Sequence, residues 1–268
     1  RRPSEDTEAY LSIYSPEGTL LDRAHLGRIP PHRRRYFDVS EITRPLVPQL
    51  DHLVVVHRVP SRLLSQVSSV EEEIELPEEP DASYLRSLME YSYPGGGNGS
   101  VIYETPPHLN AGPSSNTLTF TNQIVLSETM NTSVVLINHS VDTQYSRIAD
   151  YTFAVHSLSG EQLISDHVNV GPFGVTVLDM SKIIPQHLAE RERDPQDGLS
   201  TFNFVGFSDD AILLVVVVNS APELGAVAVE HTHPPQAYMF PSDSSKQRVV
   251  KSEARARWKS ILSASSRR

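Results

Sequence analysis

The 268-residue sequence contains no cysteine, a single tryptophan and no long hydrophobic run. Without cysteine, the chain has no disulfide framework, no thiolate metal site and no cysteine nucleophile. The longest apolar run, residues 211–218, is far shorter than the roughly 20 residues that a membrane-spanning helix needs. We therefore predict no transmembrane segment. No signal peptide is expected within residues 1–268 either, because no apolar stretch follows the basic residues at the N-terminus. The sequence does not indicate the cellular compartment of the protein.

Charge is unevenly distributed along the chain, whose formal net charge is −10. Residues 246–268 hold eight Lys and Arg residues against Glu253 alone, about +7, which leaves about −17 on residues 1–245. An acidic surface repels phosphate, so we predict no nucleic-acid binding by the folded body. The basic tail would bind polyanions weakly. It is expected to be either a linker or, from the spacing of its apolar residues over 251–262, a short amphipathic helix.

Short runs rich in Val, Ile, Tyr, Phe and Thr recur between turn residues, and helical periodicity is nearly absent before the tail. This pattern predicts an all-β protein, with many of the 20 prolines in loops and on edge strands. The candidate strands are residues 10–14, 19–26, 34–38, 53–59, 100–103, 117–120, 124–126, 133–138, 151–158, 162–170, 175–179, 201–207, 212–219 and 226–231.

Residues 10–42 match residues 151–183 when the two segments are aligned without a gap. The identical pairs are Tyr10 and Tyr151, Pro31 and Pro172, Asp38 and Asp179, Ser40 and Ser181, and Ile42 and Ile183. Both segments predict a hairpin, a turn into a third strand, and a short helical turn capped by Asp or Ser. We interpret the match as an internal duplication; the alternative is convergence on hairpin chemistry.

The predicted architecture is two tandem antiparallel β-sandwich modules of immunoglobulin-like or jelly-roll type. The first module spans residues 1–112 and is truncated or carries an acidic insertion at 60–99, in which a short helix is predicted over Ala82–Tyr91. The second module spans residues 113–245, and residues 246–268 form the basic tail or linker. Seven acidic residues between Glu71 and Asp81 indicate that the insertion is solvated.

The second module carries a recognisable order of motifs. These are Ser-Glu-Thr at 127–129, Val-Val-Leu-Ile-Asn-His at 134–139, Tyr-Thr-Phe-Ala-Val-His at 151–156, Val-Gly-Pro-Phe-Gly-Val at 170–175 and Ser-Asp-Asp-Ala-Ile-Leu-Leu-Val at 208–215. This order resembles bacterial sensory-rhodopsin-transducer-like sandwiches and related immunoglobulin-like surface modules. The resemblance covers the second module and, less well, residues 10–59. It implies small β-sandwich modules used for recognition or assembly, and it transfers no functional residue.

A histidine pair stands at the end of the last predicted strand, in Glu230-His231-Thr232-His233. Alternate residues of a strand share a face, so His231 and His233 would present two imidazoles to one divalent metal. The pair also fits the start of a cupin metal motif, but the Glu expected a few residues later is missing. Another strand would supply the third ligand, with His139, His156 and His167 as candidates. The alternative is a polar strand exit, and no other cofactor is predicted.

An arginine-rich segment offers a candidate anion-binding site at Arg33 and Arg35. Strand alternation would place Arg34 on the opposite face. The alternative interpretation is a solvated face, or an ion pair with the acidic insertion.

No catalytic residue is predicted. Asp166 and His167 are adjacent and would face opposite ways on a strand, and no Gly-x-Ser-x-Gly elbow is present. We therefore expect a non-catalytic recognition or scaffold module within a larger bacterial protein, with a protein or carbohydrate partner and with self-association open. One alternative is a metal-dependent cupin-like enzyme, or a metal-binding protein, that uses His231 and His233. A second alternative is a carbohydrate-binding module that uses exposed aromatic residues.

Overall fold

The computed structural model describes residues 6–31, 33–45, 53–61, 87–92, 99–104, 116–140, 144–232 and 243–265. The strands in these ranges are β1 (Thr7–Tyr14), β2 (Leu20–Ile29), β3 (Leu53–Pro60), β4 (Ser87–Ser92), β5 (Gly99–Glu104), β6 (Thr117–Leu126), β7 (Asn131–Ile137), β8 (Ala149–His156), β9 (Gln162–Val170), β10 (Val175–Asp179), β11 (Ser200–Ser208), β12 (Leu214–Ala221) and β13 (Ala226–His231). The helices are α1 (Val39–Thr43), α2 (Met180–Ile183), α3 (Gln186–Arg191) and α4 (Ser244–Ser265), with a 3₁₀ turn at Pro222–Leu224. The protein is mostly β, as the sequence predicts.

The described strands pair antiparallel in three sheets and one hairpin. The N-terminal sheet has the strand order β2-β1-β3, the middle sheet has the order β10-β7-β12-β13, and the outer sheet has the order β6-β11-β8-β9. The hairpin of β4 and β5 lies in contact with β13.

The middle and outer sheets share the largest hydrophobic core. Burial alternates along β7, where Val134 and Leu136 point inward. They pack with aromatic side chains of the outer sheet, namely Tyr151, Phe153, Phe202 and Phe204. This period of two is what the sequence pattern predicts for strands with one face in a core.

The middle sheet is apolar on its second face as well. Val135 and Ile137, which alternate with the core residues of β7, pack with Tyr14 and Leu53 of the N-terminal sheet. Three consecutive valines of β12, residues 215–217, are buried. Coverage on both faces explains why residues 211–218 form a continuous apolar run instead of an alternating one.

The two hairpins that the sequence suggests as copies close with the same turn geometry. Ser15 Oγ accepts a hydrogen bond from Thr19 N, and Ser157 Oγ accepts one from Glu161 N. Gly18 and Gly160 occupy the same place in the two turns, with φ of +94° and +92°, one residue out of register with the gapless alignment, which sets Gly18 against Ser159. The predicted aspartate caps are also confirmed, since Asp38 caps α1 and Asp179 caps α2.

Some predicted elements are wrong. Residues 33–38 form no strand, so the prediction over Arg34–Asp38 fails, and the alternation argued there for the arginines fails with it. The helix predicted over Ala82–Tyr91 is contradicted at residues 87–91, which belong to β4; residues 82–86 lie outside the described ranges. The strands predicted at 117–120 and 124–126 are one strand, β6, with a register shift against β11.

The basic tail contains the predicted helix, which is longer than expected. α4 begins at Ser244 and ends at Ser265. Of the helices in the described part of the chain, none is both long and apolar enough to cross a membrane.

Candidate functional site

The structure describes one of the two histidines that are predicted to bind a metal. β13 ends at His231, a partly buried residue paired opposite Val216 of β12. Its proposed partner, His233, lies outside the described residues. Within the described ranges, no group of three or more His, Asp or Glu side chains is placed to hold a metal ion. Binding of a divalent metal by His231 and His233 therefore stays a prediction.

The histidines suggested as third ligands lie in three different environments. His156 is buried on β8, and burial lowers its pKa. His167 is exposed on β9, with its Nδ1 3.8 Å from an oxygen of Asp166. His139 follows β7, and burial lowers its pKa to about 4. The structure does not bring them together around His231.

The arginine segment is exposed at both predicted anion-binding residues. Arg35 uses its guanidinium locally: Nη1 donates to the carbonyl of Arg28 at 3.2 Å, and the group lies 5.1 Å from the centre of the Phe37 ring. Arg33 donates its backbone N–H to the carbonyl of Pro30 at 3.2 Å. Anion binding at Arg33 and Arg35 stays a prediction.

A different site emerges where the N-terminal sheet meets the middle sheet. The turn after β1, residues 15–19, lies against the turn before β10, residues 171–174. Val175 N donates to the carbonyl of Pro16 at 2.9 Å, which ties the two turns together through the backbone. A Cβ atom at Gly18 would overlap the carbonyl oxygen of Pro172. Only glycine allows this approach, and we call this contact the turn junction.

Phe173 is the unusual residue of the turn junction. Its φ is +57°, and among the described residues it is the only non-glycine with positive φ. This backbone region is unfavourable for a bulky side chain and persists only where surrounding contacts impose it. The Phe173 ring stacks on Tyr14 of β1, with centroids 5.2 Å apart and planes 11° apart. His139 and Tyr145 make T-shaped contacts with the same ring, with ring centroids 5.7 and 6.0 Å from that of Phe173.

Asn138 anchors the side of the turn junction that carries β7 and β10. The residue is fully buried, and its Nδ2 donates to the carbonyls of Arg147 and Val170 at 2.9 and 3.0 Å. Its Oδ1 accepts a hydrogen bond from Tyr145 Oη at 2.7 Å. Its backbone N–H donates to Gly174 at 3.0 Å. The polar groups of this buried amide are thus satisfied, as burial requires.

Sequence reasoning missed these residues as a group, although two signals were present. The Gly171-Pro172-Phe173-Gly174 turn has a glycine at each end, and Asn138 ends an apolar strand. Neither signal identifies a partner. The contact to Tyr14 joins residues far apart in the sequence, so local pattern cannot predict it.

The C-terminal helix forms a second contact with the body. Arg255 and Lys259 of α4 both pair with Asp209, which follows β11. Lys251 Nζ donates to the carbonyl of Asn116 at 2.9 Å. The helix is therefore held by its basic residues, against an acidic body.

Comparisons with known proteins identify no relative. No protein family and no curated protein matches the sequence. Among solved structures, the chain shows similarity to a protein in the crystal structure of the T13 IBDV viral particle, with 10% identity and a TM-score of 0.15. The match covers 93% of this chain and 66% of that one, so this chain spans just under two thirds of that protein's length. A TM-score this low establishes no shared fold.

Proposed function

We propose that the chain is a non-catalytic scaffold or recognition unit of two tandem β-sandwich modules, with the first module held rigidly on the second. The observation that carries the proposal is Phe173. Its left-handed backbone costs about 1–3 kcal/mol, so other contacts must offset that strain. Each aromatic pair contributes about 0.5–1.5 kcal/mol beyond its buried area, and Phe173 makes three such contacts.

The tandem arrangement is supported by the parallels between the two halves. β1 lies between β2 and β3 in the N-terminal sheet, as β8 lies between β9 and β11 in the outer sheet. Both hairpins close with a Ser and a left-handed Gly, and both halves continue to an Asp-capped helical turn. The immunoglobulin-like or jelly-roll type of the modules belongs to this proposal.

Hydrogen exchange measured by mass spectrometry tests the scaffold role. Phe173→Ala removes the ring that joins Tyr14 to His139, so we expect amides of β1, β2 and β3 to exchange at least about tenfold faster, with little change in β8 and β11. Ile148→Ala is the control, because Ile148 is an exposed apolar residue and its neighbour Ala149 pairs with Val170, directly before the turn that holds Phe173. Unchanged protection of the N-terminal sheet in Phe173→Ala would contradict a held module.

Metal analysis tests the competing enzyme. The full chain is dialysed against a chelator and its metal content is measured beside that of His231→Ala/His233→Ala. The scaffold proposal expects no stoichiometric divalent metal in either protein. Metal retained by the native chain and lost in the double variant would favour the cupin-like alternative.

The carbohydrate alternative rests on exposed aromatics, and Tyr36, Tyr91 and Phe120 lie on three different segments. A glycan-array signal lost on substituting one of them would support it.

A further inference from the structure

The inward face of α4 carries three cations in a row. Lys251, Arg255 and Lys259 are spaced four residues apart, so they lie on one side of the helix, over about 12 Å of its length. Lys251 and Arg255 are half-buried, whereas Arg248 and Arg257 of the same helix are exposed. We call these three residues the basic stripe.

In the described part of the body, the carboxylate that pairs with the basic stripe is that of Asp209. Asp209 pairs with both Arg255 and Lys259. Lys251 meets a backbone carbonyl, and the Lys259 ammonium lies 5.5 Å from the centre of the Phe207 ring. Asp210 is exposed, and it is the carbonyl oxygen of Asp210 that accepts a hydrogen bond from Arg147 at 3.4 Å. A fourth cation therefore lies near the same corner of the molecule.

This balance of charge is incomplete. Among the described residues, Asp209 is the one carboxylate paired with the basic stripe, and it pairs with two of the three cations, so positive charge is in excess there. The Nε of Arg255 is buried and has no hydrogen-bond partner among the described residues. Burial lowers the pKa of both Lys251 and Arg255, as expected where burial disfavours the charged form. A buried donor without an acceptor costs free energy.

We propose that the basic stripe binds a phosphate-bearing ligand, with Lys251, Arg255 and Lys259 as its contacts and Asp209 as the residue that positions Arg255 and Lys259. A guanidinium such as that of Arg255 donates two parallel hydrogen bonds to the oxygens of a phosphate. A phosphate also carries more charge than a carboxylate and so neutralises the excess better. A row of cations about 12 Å long fits consecutive phosphates better than one isolated group.

Isothermal titration calorimetry of the full chain with inorganic pyrophosphate tests the site. We expect Arg255→Gln to weaken binding by about tenfold or more, because a charge-assisted hydrogen bond is lost. Arg248→Gln, which removes one exposed cation from the same helix, should change the affinity by less than about twofold. If Arg255→Gln loses helix content by circular dichroism, Arg255→Lys replaces it; it keeps the charge, loses the fork and should bind with intermediate affinity.

A second arm separates the sources of phosphate. If the ligand is a free phosphate compound, we expect pyrophosphate to bind at least as tightly as a short single-stranded oligonucleotide. If the ligand is a nucleic-acid backbone, we expect the oligonucleotide to bind more tightly, with an affinity that falls steeply as the salt concentration increases. Either result supports the site if Arg255→Gln weakens binding of the preferred probe by about tenfold or more. No binding of either probe, equal losses in Arg248→Gln and Arg255→Gln, or preference for an oligoglutamate peptide would overturn the proposal.

Discussion

Asp179 shows how one side chain can organise several contacts. It caps α2, and its Oδ1 accepts hydrogen bonds from Asn131 Nδ2 at 2.8 Å and from Ser181 N and Oγ at 3.1 and 2.7 Å. Lys182 lies 3.0 Å from its other oxygen. Burial raises the pKa of the Asp179 carboxyl, but these donors outweigh burial and hold it at about 2.

The depressed pKa of Asp179 makes its contribution depend on pH. A carboxyl whose pKa falls from 3.8 to about 2 on folding stabilises the protein fully above pH 3.8, and this stabilisation is lost as pH falls towards 2. We expect Asp179→Ala to lower the free energy of unfolding by about 1–2 kcal/mol at pH 7. Urea unfolding at several pH values should show the difference shrinking below pH 3.8. Asp38→Ala, which removes a cap with one hydrogen bond from Glu41 N, should cost less.

At this scale the sequence predicts caps better than special conformations. Asp38 and Asp179 each precede a helical turn, and an aspartate there has a local hydrogen-bond partner. Phe173 is different, because nothing in the identity of a phenylalanine favours positive φ. Its conformation follows from Tyr14, His139 and Tyr145, which local pattern does not place beside it.

At the scale of single elements, agreement follows the locality of the signal. The bounds of β9, β10 and β13 are those predicted, since each strand is an apolar run between turn residues. The strand predicted over Arg34–Asp38 fails for lack of a partner. Its counterpart β10 pairs with β7, and no described strand of the first half occupies that position. Residues 87–92 favour a helix locally, but their ladder with β5 makes them a strand.

A titratable residue, His139, lies against Phe173 in the turn before β10. Burial holds its pKa at about 4 in the folded protein, below the ordinary 6.5. Between pH 6.5 and 4 the unfolded chain therefore binds a proton that the folded chain does not, and stability falls as pH falls. Urea unfolding over this range should give a shallower dependence on pH for His139→Gln. His167→Gln, at an exposed position of β9, is the matched histidine control; equal effects of the two variants would contradict this role of His139.

At the scale of the molecule, the described residues of the N-terminal sheet form only a small core of their own. One hydrophobic cluster of this sheet has Leu11 and Ile13 as its fully buried residues, and Val39 and Ile42 pack against them. Its other large apolar contact is Tyr14 and Leu53 against the second face of the middle sheet. A sheet this small gains much of its stability from the layer it packs on, so loss of the turn junction should release the sheet before the rest unfolds.

Gly18 and Gly160 provide a matched pair to measure that coupling. Both occupy the same turn with nearly equal positive φ, so alanine at either position carries a strain of about 1–2 kcal/mol. A Cβ at Gly160 meets no atom within 4 Å, whereas a Cβ at Gly18 would overlap the carbonyl of Pro172. Gly160→Ala should therefore lower stability by the strain alone, and Gly18→Ala by about 2 kcal/mol more. In hydrogen exchange, Gly18→Ala should also expose β1, β2 and β3 selectively. Equal losses in the two variants would show that the turns meet without holding the sheet, because the carbonyl of Pro172 beside Gly18 has no counterpart beside Gly160.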